Sequence, residues 1–249
     1  HGGPSHYDDL FRCAEPFFSS RGRGDASKFA GQYQRYVEKT GGKGLICIPS
    51  GNHDTARLAP LLGEEELKIA FAFLLTMPGA PFLYYGDEIG MRYVEGLTSV
   101  EGGFHRTGAR TPMQWDDSVN AGFSAAPADR LYIPVDPSPD RPTVQAQMAD
   151  PNSLYHEIKR LISIRQAHEA LQSNASVSFV YARENAYPLA YVRRSGSEEM
   201  LVILNPSASD ASFPMTFAPW EPIYCFGGSA KFSPGLVSVP ASSAGIYRL

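Results

Sequence analysis

Four residues that can do chemistry fall within six positions of one another: Asn52, His53, Asp54 and Arg57, at the end of the stretch GLICIPSGNHDTAR (residues 44–57). An amide, an imidazole, a carboxylate and a guanidinium here follow an apolar run that reads as a buried strand. A second polar pair, Asp87 and Glu88, follows the apolar-aromatic run APFLYYG. Three uses fit these residue types. Asp54 could cap the following segment while His53 is a satisfied core residue. His53, Asp54, Asp87 and Glu88 could mix nitrogen and oxygen ligands around a metal, although their spacing matches no dedicated metal motif. Carboxylates and an imidazole can also grip vicinal sugar hydroxyls through charge-assisted hydrogen bonds, and an Asp can stabilise an oxocarbenium-like transition state. The residues alone leave the three open.

Stepping outward, both clusters need elements that bring them to one place. Residues 44–49 predict a strand and Ser50-Gly51 a turn. Residues 64–76, EEELKIAFAFLLT, predict a helix that is apolar nearly all round, with an acidic first turn that suits the helix dipole. Pro78 stops it, and a second short strand leads to Gly86-Asp87-Glu88. Strand, helix and strand in this order favour a right-handed crossover with parallel strands, so both clusters end on the same sheet edge. In parallel α/β folds that edge is where ligands bind.

The flanks are less uniform. Residues 25–39 predict a helix with Asp25 as N-cap. Residues 89–150, rich in Gly, Pro, Asp and Arg, show no periodicity; a loop that long suits an active-site wall. Helix signals return over 152–170. From about 175 the period becomes two, and seven short strands (within 177–183, 188–194, 199–205, 211–217, 221–226, 235–240 and 245–249) argue for a small antiparallel sandwich.

Composition narrows the partners. The 249 residues carry a formal net charge of −4, so there is no general electrostatic reason to bind nucleic acid or acidic membranes. No run approaches 18 uninterrupted apolar residues. Cys13, Cys47 and Cys225 are too scattered for a disulfide framework or a zinc site, with a single disulfide left open. Cys47 lies in the apolar run, where a buried free thiol is expected. Asn174-Ala175-Ser176 fits a glycosylation sequon.

SGNHDTAR resembles the Asn-His-Asp motif after the seventh barrel strand of the α-amylase family of glycoside hydrolases. APFLYYGDEIGM resembles that family's eighth strand and the loop after it. ARTPMQWD (109–116) and the following ADPNSLYHEIKRLISIRQAHEAL (149–171) are similar to strings of the branch containing oligo-1,6-glucosidases, α-glucosidases, trehalulose-forming isomerases and trehalose synthases. The resemblance covers residues 44–249 in order. It implies an α/β fold: the C-terminal part of a (β/α)8 TIM barrel over residues 1–172, then an antiparallel β-sandwich domain over 173–249.

By the same resemblance, Asp54 is the transition-state stabiliser and His53, Asn52, Arg57 and Arg110 bind substrate. Asp87 and Glu88 fix their loop through backbone hydrogen bonds. Trp115 is either a sugar-stacking platform or a packing residue, and the β tail, with Trp220 as its only exposed-looking tryptophan, is expected to pack rather than bind polysaccharide. A retaining glycosidase also needs a nucleophilic Asp and an acid Glu. Asp25, Glu15 and Glu38 have no strand leading into them and do not fit those roles, and Arg23-Gly24-Asp25 is a poor adhesion motif. The expectation is therefore a retaining hydrolase of α-linked glucosides, present as a fragment whose catalytic pair lies upstream of His1 and which is inactive alone. The alternatives are a transglycosylating isomerase or trehalose synthase of the same family, and a non-catalytic carbohydrate-binding scaffold. The implied partners are an α-glucan or oligosaccharide and, through exposed barrel surface, further copies of the chain; no nucleic acid or membrane is expected. No cofactor is expected from these residues, calcium being left to parts of the enzyme outside this chain. A cytoplasmic location is the default expectation, with secretion left open.

Overall fold

The computed structural model describes residues 6–22, 24–98 and 106–249. A short helix α1 (Asp8–Phe11) and helix α2 (Ser27–Thr40) precede strand β1 (Cys47–Pro49). Helix α3 (Glu64–Thr76) then leads to strand β2 (Ala80–Phe82). β1 and β2 pair in parallel, with Cys47 opposite Ala80 and Pro49 opposite Phe82. The parallel pairing is therefore as expected, and the ends of both strands share an edge. Asp25 does not occupy the N-cap of α2, which falls on Ala26; its carboxylate instead accepts the Ser27 backbone N–H at 3.0 Å and the Ser27 hydroxyl at 2.7 Å. Arg23 lies outside the described residues.

Cys47 departs from expectation: it is exposed, and all three cysteines are free. Strand alternation explains this. Ile48 takes the core face, so Cys47 turns to the opposite one, together with exposed Phe82 on β2. Gly79 is required just before β2. Its φ is +91°, and a Cβ there would sit 2.1 Å from the Ile46 carbonyl oxygen, which accepts the Ala80 N–H.

α3 is the central element. Every residue from Leu67 to Thr76 is buried, as its all-round apolar sequence demands. Its one interior cation, Lys68, reaches back to Glu64 at 3.3 Å and Glu65 at 3.0 Å. The Gly63 N–H at its start donates to the Glu66 carboxylate at 2.7 Å, closing the first turn.

Between 87 and 143 the described chain is irregular, with short 3₁₀ turns and no strand. Helix α4 (Val144–Ala149), inside the stretch expected to be loop, is short and lacks a buried face, so no apolar period announces it. α5 (Leu154–Ala167) follows with Ser153 as N-cap. The expected helix to residue 170 breaks at His168 into a 3₁₀ turn over Glu169–Leu171.

The remainder is antiparallel. Strands β3 (Ser176–Tyr181), β4 (Leu189–Ser195), β5 (Glu198–Asn205), β6 (Ala211–Met215), β7 (Glu221–Phe226), β8 (Lys231–Ser233), β9 (Gly235–Val239) and β10 (Ser243–Arg248) form two sheets. Their orders are β3-β4-β5-β10-β7 and β6-β9-β8. β8 is the strand that seven sequence runs omit; three residues carry too little alternation to see. Ala190, Val192, Leu201 and Ile203 meet Phe213, Met215, Val237 and Val239 between the two sheets. The other face of the larger sheet, through Leu189, Tyr191, Val202, Leu204 and Ile246, joins the core of α3 and α5. Being covered on both sides, its central strands read as continuous apolar runs. Among the described residues no helix is long and apolar enough to cross a membrane.

Two buried guanidinium groups lock this layer to the parallel strands. α3 ends with carbonyls that no helical N–H can reach. Arg165 from α5 donates to Leu75 and Met77 carbonyls at 2.7 and 2.8 Å and to Gly79 at 3.0 Å. Arg193 from β4 donates to the carbonyls of Thr76, Gln172 (2.6 Å) and Ser176 (3.1 Å). Burial pushes Arg193 down to about 10, so it stays charged at neutral pH. Replacing Arg193 with Leu removes the charged donor from those carbonyls, of which that of Gln172 keeps a further donor, the Ala175 N–H at 3.3 Å. The expected loss is about 3–5 kcal/mol of unfolding free energy. Urea denaturation of the variant measures it, and an unchanged midpoint would contradict this role.

Candidate active site

The loop after β1 is fixed from below by one buried cluster. The Ser50 N–H donates to the Phe82 carbonyl at 2.7 Å, extending the parallel ladder past Pro49. Ser50 Oγ donates to Asp87 Oδ2 at 2.7 Å and accepts the Tyr84 N–H at 2.9 Å. Arg57 Nη1 donates to Asp87 Oδ1 and to the Tyr85 carbonyl, both at 2.8 Å. The Arg57 guanidinium also lies over the rings of Tyr84 and Tyr85, 4.8 and 5.0 Å from their centroids. Arg57 is 1% exposed and Asp87 3%. Burial raises the Asp87 carboxyl above its ordinary range, with Arg57 and Ser50 pulling the other way.

Both tyrosines reach onward. Tyr84 Oη donates to the Ala109 carbonyl at 3.1 Å, and Tyr85 Oη to the Thr111 carbonyl at 2.7 Å. They hold the residues on either side of Arg110. Arg110 Nε then donates to the His53 carbonyl at 2.9 Å, and its Nη2 to Asp54 Oδ1 at 2.9 Å. Arg106 Nη1 meets the same oxygen at 3.0 Å. His53 Nε2 lies 3.5 Å from it. The Asn52 side chain accepts the Asp54 N–H at 2.7 Å, and Thr55 Oγ1 accepts the Asn52 N–H at 3.2 Å. This Asx-type turn presents Asp54 outward, its side chain 40% exposed. From the N-terminal side, Arg12 donates to the Ser50 carbonyl and, at 2.9 Å, to that of Ala56.

The arrangement separates roles that sequence could not. Asp54, His53 and Arg110 share one exposed cluster. Asn52 stands beside it as a turn-former. Arg57 sits beneath, engaged with Asp87. Asp87 fixes the loop through carboxylate bonds to the side chains of Ser50 and Arg57 and through its own backbone, whose N–H donates to the Tyr84 carbonyl and whose carbonyl accepts the Gly90 N–H. Burial raises the Glu88 carboxyl above its ordinary range, with the backbone at Glu88 and Gly86 pulling the other way. With both Asp87 oxygens engaged, a metal shared by His53, Asp54, Asp87 and Glu88 has no geometric support, and no group of three or more His, Cys, Asp or Glu able to hold a metal occurs among the described residues. Arg106 and Arg12 are site residues that sequence reasoning missed. A second Arg four positions before Arg110 was the available signal for Arg106; nothing local marked Arg12.

The hydrogen bond from Arg106 leads the causes that hold the Asp54 carboxyl below the usual range, with Arg110 and His53 adding to it. An open cavity of ≈ 520 Å³, lined by Asp54, Arg57, Tyr93, Glu95 and Arg106, fronts it. A second cleft of ≈ 430 Å³, mainly apolar, begins at Arg110 and includes Glu88 and Trp115. Both lie in the size range of small-molecule sites. A fixed anion, an exposed imidazole and clamped guanidinium groups can bind hydroxyls and stabilise a developing positive charge.

Residues 25–174 match the family of the alpha-amylase catalytic domain. The chain belongs to the alpha-amylase family. It is 31% identical to an oligo-1,6-glucosidase of Parageobacillus thermoglucosidasius over 76% of this chain and 38% of that protein. It is 35% identical to a trehalose synthase of Thermus thermophilus over 66% of this chain and 17% of the relative. Among solved structures, the trehalulose synthase of Pseudomonas mesoacidophila aligns with a TM-score of 0.77 at 26% identity, covering 97% of this chain and 50% of that one. The chain thus spans half or less of the length of these alpha-amylase family relatives.

Two outcomes follow for this alpha-amylase family site. Because its folded pKa is depressed, Asp54 contributes stability that is full above the unfolded value, about 3.9. That contribution is lost as pH falls through the folded value. Carboxyl ¹³C NMR should show Asp54 titrating below ordinary aspartates, and Arg106→Ala should move it upward; an ordinary midpoint in the parent contradicts the clamp. Asp87→Ala leaves Arg57 charged and buried alone. Its expected cost is about 3–5 kcal/mol, read from the urea midpoint.

Proposed function

We propose that this chain carries the charge-stabilising and hydroxyl-gripping part of an α-glycosidase site acting on short α-linked glucosides. The observation that carries the reading is the Asp54 carboxylate. It is held ionised at the shared edge of two parallel strands, bonded by Arg106 and Arg110, with His53 beside it and a cavity in front. An anion fixed there suits a positively charged, oxocarbenium-like transition state. His53 and Arg110 bind hydroxyls of the same sugar ring, Asn52 sets the loop, and Arg57 acts on substrate only through the framework it braces.

The nucleophilic carboxylate and the general acid, about 5–5.5 Å apart in retaining enzymes, are proposed to come from polypeptide outside residues 1–249. In support, the matching oligo-1,6-glucosidase is more than twice as long as the region aligned with it. In this proposal residues 1–172 are the barrel portion and 173–249 a β domain stacked on it, so these 249 residues alone do not turn over substrate.

Hydrolysis is the leading reaction. The second reading, transfer of the glucosyl group to another sugar hydroxyl, has support in the trehalose synthase and trehalulose synthase relatives. Both reactions use Asp54 alike and differ in whether water reaches the glycosyl-enzyme.

The test is Asp54→Asn in the full-length protein. Removing the fixed charge should lower kcat on an α-glucoside chromogen by about 10²–10³-fold, with KM changed much less. Near-parental kcat would sink the assignment, and product analysis on sucrose and maltose separates hydrolysis from transfer.

A further inference from the structure

The bonds that shape the turn carrying His53 and Asp54 run between Asn52, Asp54 and Thr55. Its two ends are tied by one side chain from another element. Arg12, at the C-terminal end of α1, donates from Nη2 to the Ser50 carbonyl before the turn. From Nε it donates to the Ala56 carbonyl after the turn, at 2.9 Å. A guanidinium is planar and its donors keep a fixed fork, so bonding both carbonyls sets the span from residue 50 to residue 56. The same group approaches the buried pair of Arg57 and Asp87. A Cβ on Gly51 would stand 3.2 Å from Arg12 Nη2 and 3.1 Å from Asp87 Oδ2, so any larger residue there crowds both.

Arg12 stands on a firm base. Leu10 and Phe11 are fully buried, and the Phe11 ring centroid lies 5.0 Å from that of Phe18 and 6.0 Å from that of Phe73 in α3. The N–H groups of Phe17 and Phe18 donate to the Asp9 and Leu10 carbonyls, both at 3.1 Å. Tyr7, just before α1, donates from its hydroxyl to the Pro49 carbonyl, so the same segment also grips the end of β1. On the far side, Tyr187 between β3 and β4 donates to the Phe17 carbonyl at 2.8 Å and ties the segment to the antiparallel layer. Arg12 itself is half-buried, so truncating it opens no core cavity.

We propose that Arg12 is a positioning residue of the site: from α1 it clamps both ends of the turn and so fixes where the Asp54 carboxylate and His53 stand. It acts through the loop and needs no contact with substrate. Its effect on turnover rests on the glucoside reading of the site. A fixed charge helps a transition state only at the correct place, and a displacement of about 1 Å can cost roughly 10²-fold in rate.

Arg12→Ala in the full-length protein tests the clamp by two separate readouts. Hydrogen exchange followed by mass spectrometry should show residues 50–57 opening at least about tenfold faster, while α3 keeps its protection. On an α-glucoside chromogen, kcat should fall about 10–100-fold with KM changed much less. Parental exchange at 50–57 overturns the role, and so does a parental kcat in an enzyme that Asp54→Asn disables. Loss of protection spread equally over α3 also overturns it, because the effect is then global destabilisation. The glucoside reading fails separately: if Asp54→Asn turns over at the parental rate, Asp54 is not catalytic, and exchange at 50–57 still decides whether Arg12 holds the loop.

Discussion

The buried pair of Arg57 and Asp87 is the constraint on which the site depends. Two charges removed from water are costly unless every donor and acceptor is well matched. Here Ser50 after β1 and the Tyr85 carbonyl after β2 bond the pair, and the Tyr84 and Tyr85 rings cover the guanidinium, whose Nε and Nη2 carry no hydrogen bond among the described residues. Satisfying the pair therefore requires the two ends to lie side by side. The pair acts less as a source of net stability than as a geometric lock, since any slip of one strand leaves a charge unpaired in the interior.

From that lock, position passes outward by contact. The two tyrosine rings cover Arg57, and their hydroxyls hold the carbonyls flanking Arg110. Burial pushes the Tyr84 phenol up to about 12, so it remains a donor across the neutral range. Arg110 then fixes Asp54 and the His53 backbone. A buried cation thus places an exposed anion two layers away without touching it. The irregular segment after residue 89 takes part fully: a backbone with few ladder bonds of its own is held by side chains from the strand ends.

A second frame supports the first from the opposite end. α3 must reverse into β2 through Pro78 and Gly79, leaving carbonyls that the helix cannot satisfy. Arg165 and Arg193 cover them from α5 and β4. The antiparallel layer is consequently joined to the parallel strands by charged hydrogen bonds as well as by apolar packing, and the large sheet shares its core with α3. The β layer therefore braces the elements that carry the site.

Sequence by itself determined the elements whose pattern is local and strong. The all-apolar helix α3, the short runs of β1 and β2, their parallel pairing, and the polar cluster from Asn52 to Arg57 were all legible, as were three ordered motifs of the alpha-amylase family. Roles within that cluster were not. Asn52, Asp54 and Arg57 are equally polar in sequence; only tertiary packing turns Arg57 inward to Asp87, spends Asn52 on a turn and leaves Asp54 in the open. Cys47 is the converse case, an apolar-run residue placed outward because Ile48 claims the core face. Arg12 and Arg106 join the site across separations of 38 and 52 residues, from Arg12 to Ser50 and from Asp54 to Arg106, and no periodicity records such a contact. Local pattern encodes which face a segment would bury. Which charge meets which partner is decided by long-range closure of the chain, where desolvation makes one pairing far better than the others.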